Sequence, residues 1–463
     1  MSEEKNQSTV SFYAPHKKVY PRAIDGMFNR WRWVMVWVTQ LVFYGLPWLQ
    51  WGERQMVLFD LGARRFYLFG LVLYPQDFIY LTGLLILSAL SLFLFTAVAG
   101  RLWCGFTCPQ TVYTEIFMWL ENRIEGDRSA RMRLDKAAWT SPEKLAKKGL
   151  KQLAWVSVAL WTGFTFVGFF VPIRTLGAEI LQWQGGWQLF WVFFYAFATY
   201  GFAGFMREQV CKYMCPYARF QSAMFDEDTL IVTYDSERGE PRGVRSKKVD
   251  PKAAGLGDCI DCSLCVQVCP TGIDIRNGLQ YECISCAACI DVCDEVMDKV
   301  GYPRGLIRYS TEHALEEGWG GKQILRHILR PRVLIYSTIL AAVTSALIAS
   351  LFLRTPFKGD IVRDRATLAR VVEGGKIENV YRIQVMNATE QPQTFTLSAD
   401  GLPGLELVTD KTVTIDGAQS LCVPVRLPLP WGTANAGSHE IHFNVQAPGV
   451  GEVREKSVFM VPR

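Results

Sequence analysis

The sequence predicts an α-helical membrane protein with five transmembrane helices, a cysteine-rich segment between the fourth and fifth, and a small C-terminal β-sandwich. Three observations carry this: long apolar runs, regularly spaced cysteines, and a C-terminal stretch where apolar and polar residues alternate. The chain has 463 residues, 50% of them hydrophobic and 20% charged, which suffices for several ordinary domains. That composition excludes a disordered chain, and the size excludes a small disulfide-stapled secreted domain. A net charge of +5 is modest and gives no reason to invoke nucleic acid as a partner.

Five stretches can span about 30 Å of hydrocarbon at about 1.5 Å per residue. They run from Val34 to Trp51, Phe78 to Ala99, Leu153 to Val171, Trp187 to Phe205 and Val333 to Leu353. Trp31, Trp33, Trp48, Trp51, Trp103 and Trp187 flank them, as headgroup-level anchors do. Residues Met56 to Tyr74 are also apolar, but Asp60, Arg64 and Arg65 interrupt them, which predicts a surface or interfacial segment.

Lysine and arginine counts set the orientation. The connection Gly52 to Asp77 has three basic residues and Pro172 to Gly186 has only Arg174. Gly100 to Gln152 has ten: Arg101, Arg123, Arg128, Arg131, Arg133, Lys136, Lys144, Lys147, Lys148 and Lys151. The N-terminal tail adds Lys5, Lys17, Lys18, Arg22, Arg30 and Arg32. The N-terminus, the second connection and residues 206–332 are therefore expected in the cytoplasm, and the chain after Leu353 outside. The polar first 30 residues predict no cleavable signal peptide, so the first span would act as the insertion signal.

Thirteen cysteines are the unusual count, and twelve of them lie between Cys104 and Cys293. On this topology all twelve face the reducing side, where metal binding or redox chemistry is the expected use of a thiol. With five histidines in the chain, metal sites must be built mainly from sulfur. Cys259, Cys262, Cys265 and Cys269-Pro270 follow bacterial ferredoxin spacing; Cys283, Cys286, Cys289 and Cys293 repeat it with Asp294 for proline. Three close thiolates wrap three corners of a cubane and the fourth serves the other cluster. One [4Fe–4S] cluster is thus expected on Cys259, Cys262, Cys265 and Cys293. The other is expected on Cys283, Cys286, Cys289 and Cys269.

Two further motifs stand at the expected cytoplasmic ends of the second and fourth spans: Cys104-Gly-Phe-Thr-Cys108-Pro109 and Cys211-Lys-Tyr-Met-Cys215-Pro216. A residue before proline avoids helical geometry while proline suits a first helical turn, so Cys108 and Cys215 are expected N-caps of short helices. A helix N-terminus there would favour the thiolate. Four soft ligands in one layer suit copper, zinc or a further cluster, and Met206 and Met214 tilt the choice towards copper. A redox-active dithiol and a purely structural role remain alternatives. Glu115 and Glu208 stand at helix-compatible offsets for proton relay, against the simpler reading of solvated carboxylates.

None of His16, His313, His327, His439 and His442 lies in a predicted span, which excludes an intramembrane bis-histidine haem. Residues 360–463 carry short alternating runs (Tyr381, Ile383, Val385; Leu421, Val423, Val425; Ile441, Phe443, Val445) divided by turn residues, the pattern of a sandwich. Cys422 adjoins such a run and is expected to be packed or at a strand edge. The His439–His442 pair is expected to be exposed, and Asn387-Ala-Thr389 to be a chance sequon.

These features together closely resemble the bacterial cytochrome c oxidase accessory protein family called CcoG, FixG or RdxA, over nearly the full length. Tyr281-Glu-Cys-Ile-Ser-Cys-Ala-Ala-Cys-Ile-Asp-Val-Cys-Asp-Glu-Val-Met and Gly301-Tyr-Pro-Arg-Gly-Leu-Ile-Arg-Tyr resemble its signatures, Asp294 included. The resemblance implies an immunoglobulin-like terminal domain and a role in assembling cbb3-type oxidase. There cytoplasmic Cu(II) would be reduced at Cys104, Cys108, Cys211 and Cys215, and Cu(I) handed to a copper-transporting P-type ATPase and oxidase assembly factors. Alternatives are a non-enzymatic copper-binding assembly scaffold and an electron-carrier subunit of a respiratory redox chain. The expected division is a cytoplasmic tail (1–33), a four-helix membrane region (34–206), a cytoplasmic 2[4Fe–4S] ferredoxin domain (207–332), a fifth span (333–353) and a periplasmic domain (354–463), in a bacterial inner membrane. No nucleotide-binding fingerprint is present, so NADH or flavin would have to act through another protein.

Overall fold

Apolar runs without internal proline form helices, and glycine or proline marks where many of them stop. The computed structural model describes residues 18–182, 184–245, 255–364, 369–372 and 374–462. Lys5, His16 and Lys17 lie outside the described residues. The helices that position the site are α1 (Met27–Gly45), α2 (Phe78–Ala99), α3 (Leu102–Phe106), α4 (Pro109–Glu125), α5 (Pro142–Val167), α6 (Gly186–Thr199), α7 (Pro216–Met224), α8 (Leu264–Val268), α9 (Ala288–Val300) and α10 (Pro331–Phe352).

Among the described residues, three helices are long and apolar enough to cross a bilayer: Pro75–Ala99, Gly186–Met206 and Pro331–Phe352. They expose large apolar side chains such as Ile79, Leu85, Phe193, Phe197, Ile335 and Ile348, surfaces that suit lipid and not water. The other two predicted spans fall on α1 and α5 and differ from expectation. Pro47 ends the first, so Leu46–Trp48 is a tight turn and Gln50–Trp51 a short strand. The second begins at Pro142, carries Lys144, Lys147, Lys148 and Lys151, and stops at Val167 short of Val171.

Contacts divide the chain into two compact units: Met1–Gly45, Ser88–Val167 and Glu179–Leu340 in one, Leu46–Leu87, Gly168–Ala178 and Ala341–Arg463 in the other. This grouping cuts across the linear order, because the connections after the first and third predicted spans join the C-terminal domain.

In the first unit, the start of α1 is fixed by a distant carboxylate. Asp291 accepts from the backbone N–H groups of Phe28 at 3.1 Å and Asn29 at 2.8 Å, satisfying donors that a helix start leaves unpaired. Only glycine fits before them, since a Cβ on Gly26 would lie 2.2 Å from Asp291 Cγ. Several basic residues of the 100–152 connection are consumed inside the fold. Glu121 accepts from Arg131 at 3.2 Å and Arg207 at 3.0 Å, and Lys151 stands 2.9 Å from Glu125. Lys148 bridges Glu125 at 3.0 Å and Asp135 at 2.6 Å. Phe117 and Trp155 stack beneath this network, with rings 5.3 Å apart.

In the second unit, Met56–Tyr74 forms a meander of β1 (Val57–Asp60), β2 (Arg65–Leu68) and β3 (Leu71–Leu73). Leu58, Tyr67, Val72 and Tyr74 bury themselves with Met386 of the C-terminal domain. Buried Asp77 binds Arg354 at 2.6 Å and Lys358 at 2.5 Å, which joins the entry to α2 to the exit from α10. The C-terminal domain is a sandwich of β4 (Phe357–Arg363), β5 (Arg370–Val372), β6 (Lys376–Asn387), β7 (Gln393–Asp400), β8 (Thr412–Ile415), β9 (Ser420–Pro430), β10 (Gly437–Ala447) and β11 (Gly451–Val461). One antiparallel sheet runs β9-β6-β4 with β5 on β6; the other runs β8-β7-β10-β11. Tyr381, Ile383, Val385, Val423, Val425, Ile441, Phe443 and Val445 face the core. Asn379 stitches the sheets, donating to Met460 O at 2.8 Å and accepting from Met460 N at 3.0 Å.

Cys422 is exposed on the edge strand β9 opposite Gln384. His439 and His442 are half-buried on β10, His439 within 2.6 Å of Asn435 O. Asn387 is fully buried and donates to three backbone carbonyls, so the sequon is a structural turn.

Burial alone would raise the Glu121 carboxyl, but Arg207, Arg131 and Lys151 hold it below the usual range. A depressed carboxyl contributes stability that is present above its unfolded value and lost as pH falls through the folded one. Glu121→Gln is expected to destabilise the protein by about 3–5 kcal/mol at neutral pH. It should also flatten the acid limb of stability against pH. Denaturation of the detergent-solubilised protein from neutral to acid pH checks both, and equal curves for variant and parent would remove the network from the account.

Candidate metal centres

The two ferredoxin-spaced runs fold alike. In each, the residues on either side of the middle cysteine are left-handed: Asp261 and Ser263 at φ 53° and 54°, Ser285 and Ala287 at 53° and 60°. Non-glycine residues held there store strain that the surroundings must impose. The reversal wraps each cysteine loop into a cup, and α8 or α9 follows, carrying the third cysteine of its run.

The fourth cysteines cross over. Cys259, Cys262, Cys265 and Cys293 line one cavity, walled by Val296, Met297, Leu306 and Ile307. Cys269, Cys283, Cys286 and Cys289 line the second with Cys265, walled by Val232, Ile273 and Ile284. A two-stranded ladder, Ile231–Tyr234 on Ile307–Ser310, contributes to both. The thiols surround space instead of meeting at a point: among the described residues no three His, Cys, Asp or Glu side chains converge as a single-ion site. Four thiols on an apolar cavity fit a [4Fe–4S] cluster in donor type, and Ser285 N points at Cys283 Sγ at 3.4 Å, the kind of hydrogen bond that tunes such a cluster. Burial pushes the Cys283 and Cys293 thiols up to about 12 and Cys265 up to about 11, so ionisation here calls for cationic compensation.

The two Cys-x3-Cys-Pro motifs adopt the geometry that proline imposes. Cys108 (φ −58°, ψ 128°) and Cys215 (φ −77°, ψ 109°) are extended N-caps, with Pro109 and Pro216 opening α4 and α7. Cys104 sits on α3 and Cys211 on a wide i→i+5 turn, Val210–Met214. The expected thiolate preference of a helix start is outweighed: burial raises Cys108, with the N–H groups of Thr111 and Gln110 opposing. Burial and then the Cys108 thiol push Cys104 up to about 12 and Cys211 up to about 11. Met214 is exposed, so it does not share the cysteines' partly buried setting. Glu115 is taken up by Arg32 at 2.5 Å, and Glu208 is buried, accepting from Gln209 at 3.4 Å.

The motif layer touches the second cavity directly. A Cβ on Gly105 would lie 2.7 Å from Ile284 O and 2.9 Å from the Cys286 backbone, so only glycine allows this approach. Cys104 and Cys211 pack on the same cluster as Cys286 and Cys289. Buried Arg101 donates to Tyr281 O and Ala218 O, and its charge acts on Cys104, Cys283, Cys211 and Cys215 together. Its Nε is buried without a partner among the described residues. Arg276, held by Asp274 and Asp261, plays the matching part at the first cavity. Asp294 accepts from Gly305 N at 2.9 Å, and Tyr309 donates to Ser285 O at 2.6 Å, which ties the two signature stretches together. Sequence reading missed Gly105, Arg101, Arg276 and Asp291; only the position of Gly105 inside a cysteine motif hinted at a close approach.

Gly105→Ala is expected to disturb the Cys283–Cys289 loop while leaving the Cys259–Cys265 loop intact. Electron paramagnetic resonance of the reduced protein should show one altered and one unaltered signal. Gly149→Ala, with nothing within 4 Å, is the control.

Family models match the chain at three places: a 4Fe-4S dicluster domain at 206–312, a 4Fe-4S binding domain at 81–126, and the IG-like fold at the C-terminus of FixG, putative oxidoreductase, at 347–462. All twelve cysteines from Cys104 to Cys293 fall within the two iron–sulfur models. Among curated relatives, Protein RdxA of Cereibacter sphaeroides is 42% identical over 423 residues, 89% of this chain and 87% of that one. Protein RdxB of the same organism is 42% identical over 408 residues, covering 86% and 85%. Nitrogen fixation protein FixG of Rhizobium meliloti is 38% identical over 437 residues, covering 88% and 83%. Crossed cysteine cups, a thiol layer against one of them and similarity over 86–89% of the chain lead to one conclusion: the chain belongs to the RdxA/FixG family of iron–sulfur electron-transfer proteins.

Proposed function

We propose that this protein reduces Cu(II) to Cu(I) at the layer of Cys104, Cys108, Cys211 and Cys215, on the cytoplasmic face of a bacterial inner membrane, for assembly of cbb3-type oxidase. The observation that carries the reading is the contact of Gly105 with the Cys286 backbone, which sets the layer against one of the cysteine cups. Cys259, Cys262, Cys265 and Cys293 would hold one [4Fe–4S] cluster, and Cys283, Cys286, Cys289 and Cys269 the other. When bound, such clusters supply one-electron transfer. Cu(II) as substrate gains one electron, and soft thiolates favour the Cu(I) product. Arg101 balances negative charge between cup and layer, and Arg32 favours a charged Cys286 while its ion-pair partner Glu115 opposes it.

On this reading α1 and α5 also cross the bilayer, making five spans, with N-terminus and thiols cytoplasmic and the sandwich periplasmic. The role requires a cytoplasmic electron donor, a Cu(I) acceptor of the copper-transporting P-type ATPase class, and oxidase assembly factors. The 4Fe-4S model over 81–126, whose cysteines are Cys104 and Cys108, favours a second reading in which the four layer cysteines hold a further cluster.

Iron content separates the two: about eight iron atoms per chain for two cubanes, about twelve for three. For the copper reading, the purified protein is reduced, given Cu(II), and assayed with a Cu(I) chelator. One Cu(I) per electron stored is expected, and none would end the proposal. Cys104→Ala with Cys108→Ala should abolish Cu(I) formation while leaving the iron–sulfur absorption of the protein unchanged.

A further inference from the structure

The structure assigns a second site, independent of the copper reading: a cavity for the headgroup of a membrane-soluble hydroquinone. It has a volume of about 470 Å³ and lies among α1, α4, α5 and α6, bordered by the turn around Thr107 and Pro109. Phe43, Phe166, Tyr195 and Phe202 form its walls, flat surfaces suited to a flat ring. One side is polar. Gln40, Tyr113 and Thr162 line it, and Tyr44 Oη lies 2.8 Å from Thr162 Oγ1.

The decisive atom is Gln40 Oε1, which is buried and has no hydrogen-bond partner among the described residues. A stranded acceptor in an apolar setting is costly unless a donor reaches it. A hydroquinone brings that donor in its ring hydroxyl, beside a polar wall where Tyr113, Tyr44 and Thr162 are already bonded to one another and Thr162 donates to Val158 O. Its isoprenoid tail belongs in lipid, as do the exposed faces of α6. An acyl chain alone would fill the volume and leave Gln40 unanswered. Trp103, Thr107 and Pro109 on the wall are neighbours in sequence of Cys104 and Cys108, so the headgroup would sit beside the thiol layer.

The test uses the full-length protein in lipid nanodiscs free of quinone. It is photolabelled with an azidobenzoquinone, in competition with a decyl hydroquinone, and the label is mapped by peptide mass spectrometry. Label on peptides from α1, α4, α5 or α6, displaced by the hydroquinone, is expected. Gln40→Leu should weaken competition about tenfold, the effect of one lost hydrogen bond. Ala198→Trp should fill the cavity and block labelling; unchanged iron–sulfur absorption and elution volume show that each variant is folded. Label elsewhere, equal competition by oxygen-free decylbenzene, or parent-like competition in folded Gln40→Leu would overturn the assignment.

Discussion

The constraint on which this structure turns is the approach of Gly105 to the backbone of Cys286. At this point a hydrogen replaces a side chain so that the short helix α3 can rest on the loop that carries Cys283, Cys286 and Cys289. Once that contact is fixed, other placements follow. The helix start at Pro109 sets Cys108 beside the layer, and Gln221 draws in Cys104 at 3.5 Å while hydrogen-bonding to Thr96 of α2. Asp291, two residues beyond Cys289, holds the start of α1. The cysteine loop is thus held by contacts with both α3 and α1.

Charge is the second organising quantity. Thiols crowded into buried space resist ionisation, and each cysteine group has an arginine whose charge acts on it. Arg276 serves the first cavity, Arg32 the region of Cys286, and Arg101 both the second cavity and the membrane-face layer. Several basic residues of the 100–152 connection are part of the same interior. Arg131, Lys144 and Lys151 are almost wholly buried, bound to Glu121, Glu125 or backbone carbonyls.

Much of the fold was legible because its signals are local. Alternation located the sandwich strands, proline after cysteine located the N-caps, and ferredoxin spacing located the two loops. The span prediction was less successful. Hydropathy in a window does not register that Pro47 stops α1 or that α5 ends at Val167, short of the expected Val171. Met56–Tyr74, expected on the surface or at the interface because charges interrupt it, is a β-meander whose charges flank a turn, and the apolar residues around them pack onto Met386 of the sandwich. Met214, taken as a possible soft ligand, is exposed, since residues of the i→i+5 turn do not all face one way.

By itself, the sequence determined the chemistry: thiol donors, their grouping into two runs and two motifs, and the absence of histidine from the apolar stretches. These depend on spacings of a few residues, which the backbone translates into geometry without help. Which groups face one another was decided only by tertiary structure. Arg101 and Tyr281 meet although 180 residues separate them, and Gly105 meets Cys286 across a similar interval. Such encounters depend on the packing of whole helices, and nothing in the neighbourhood of either residue encodes its partner.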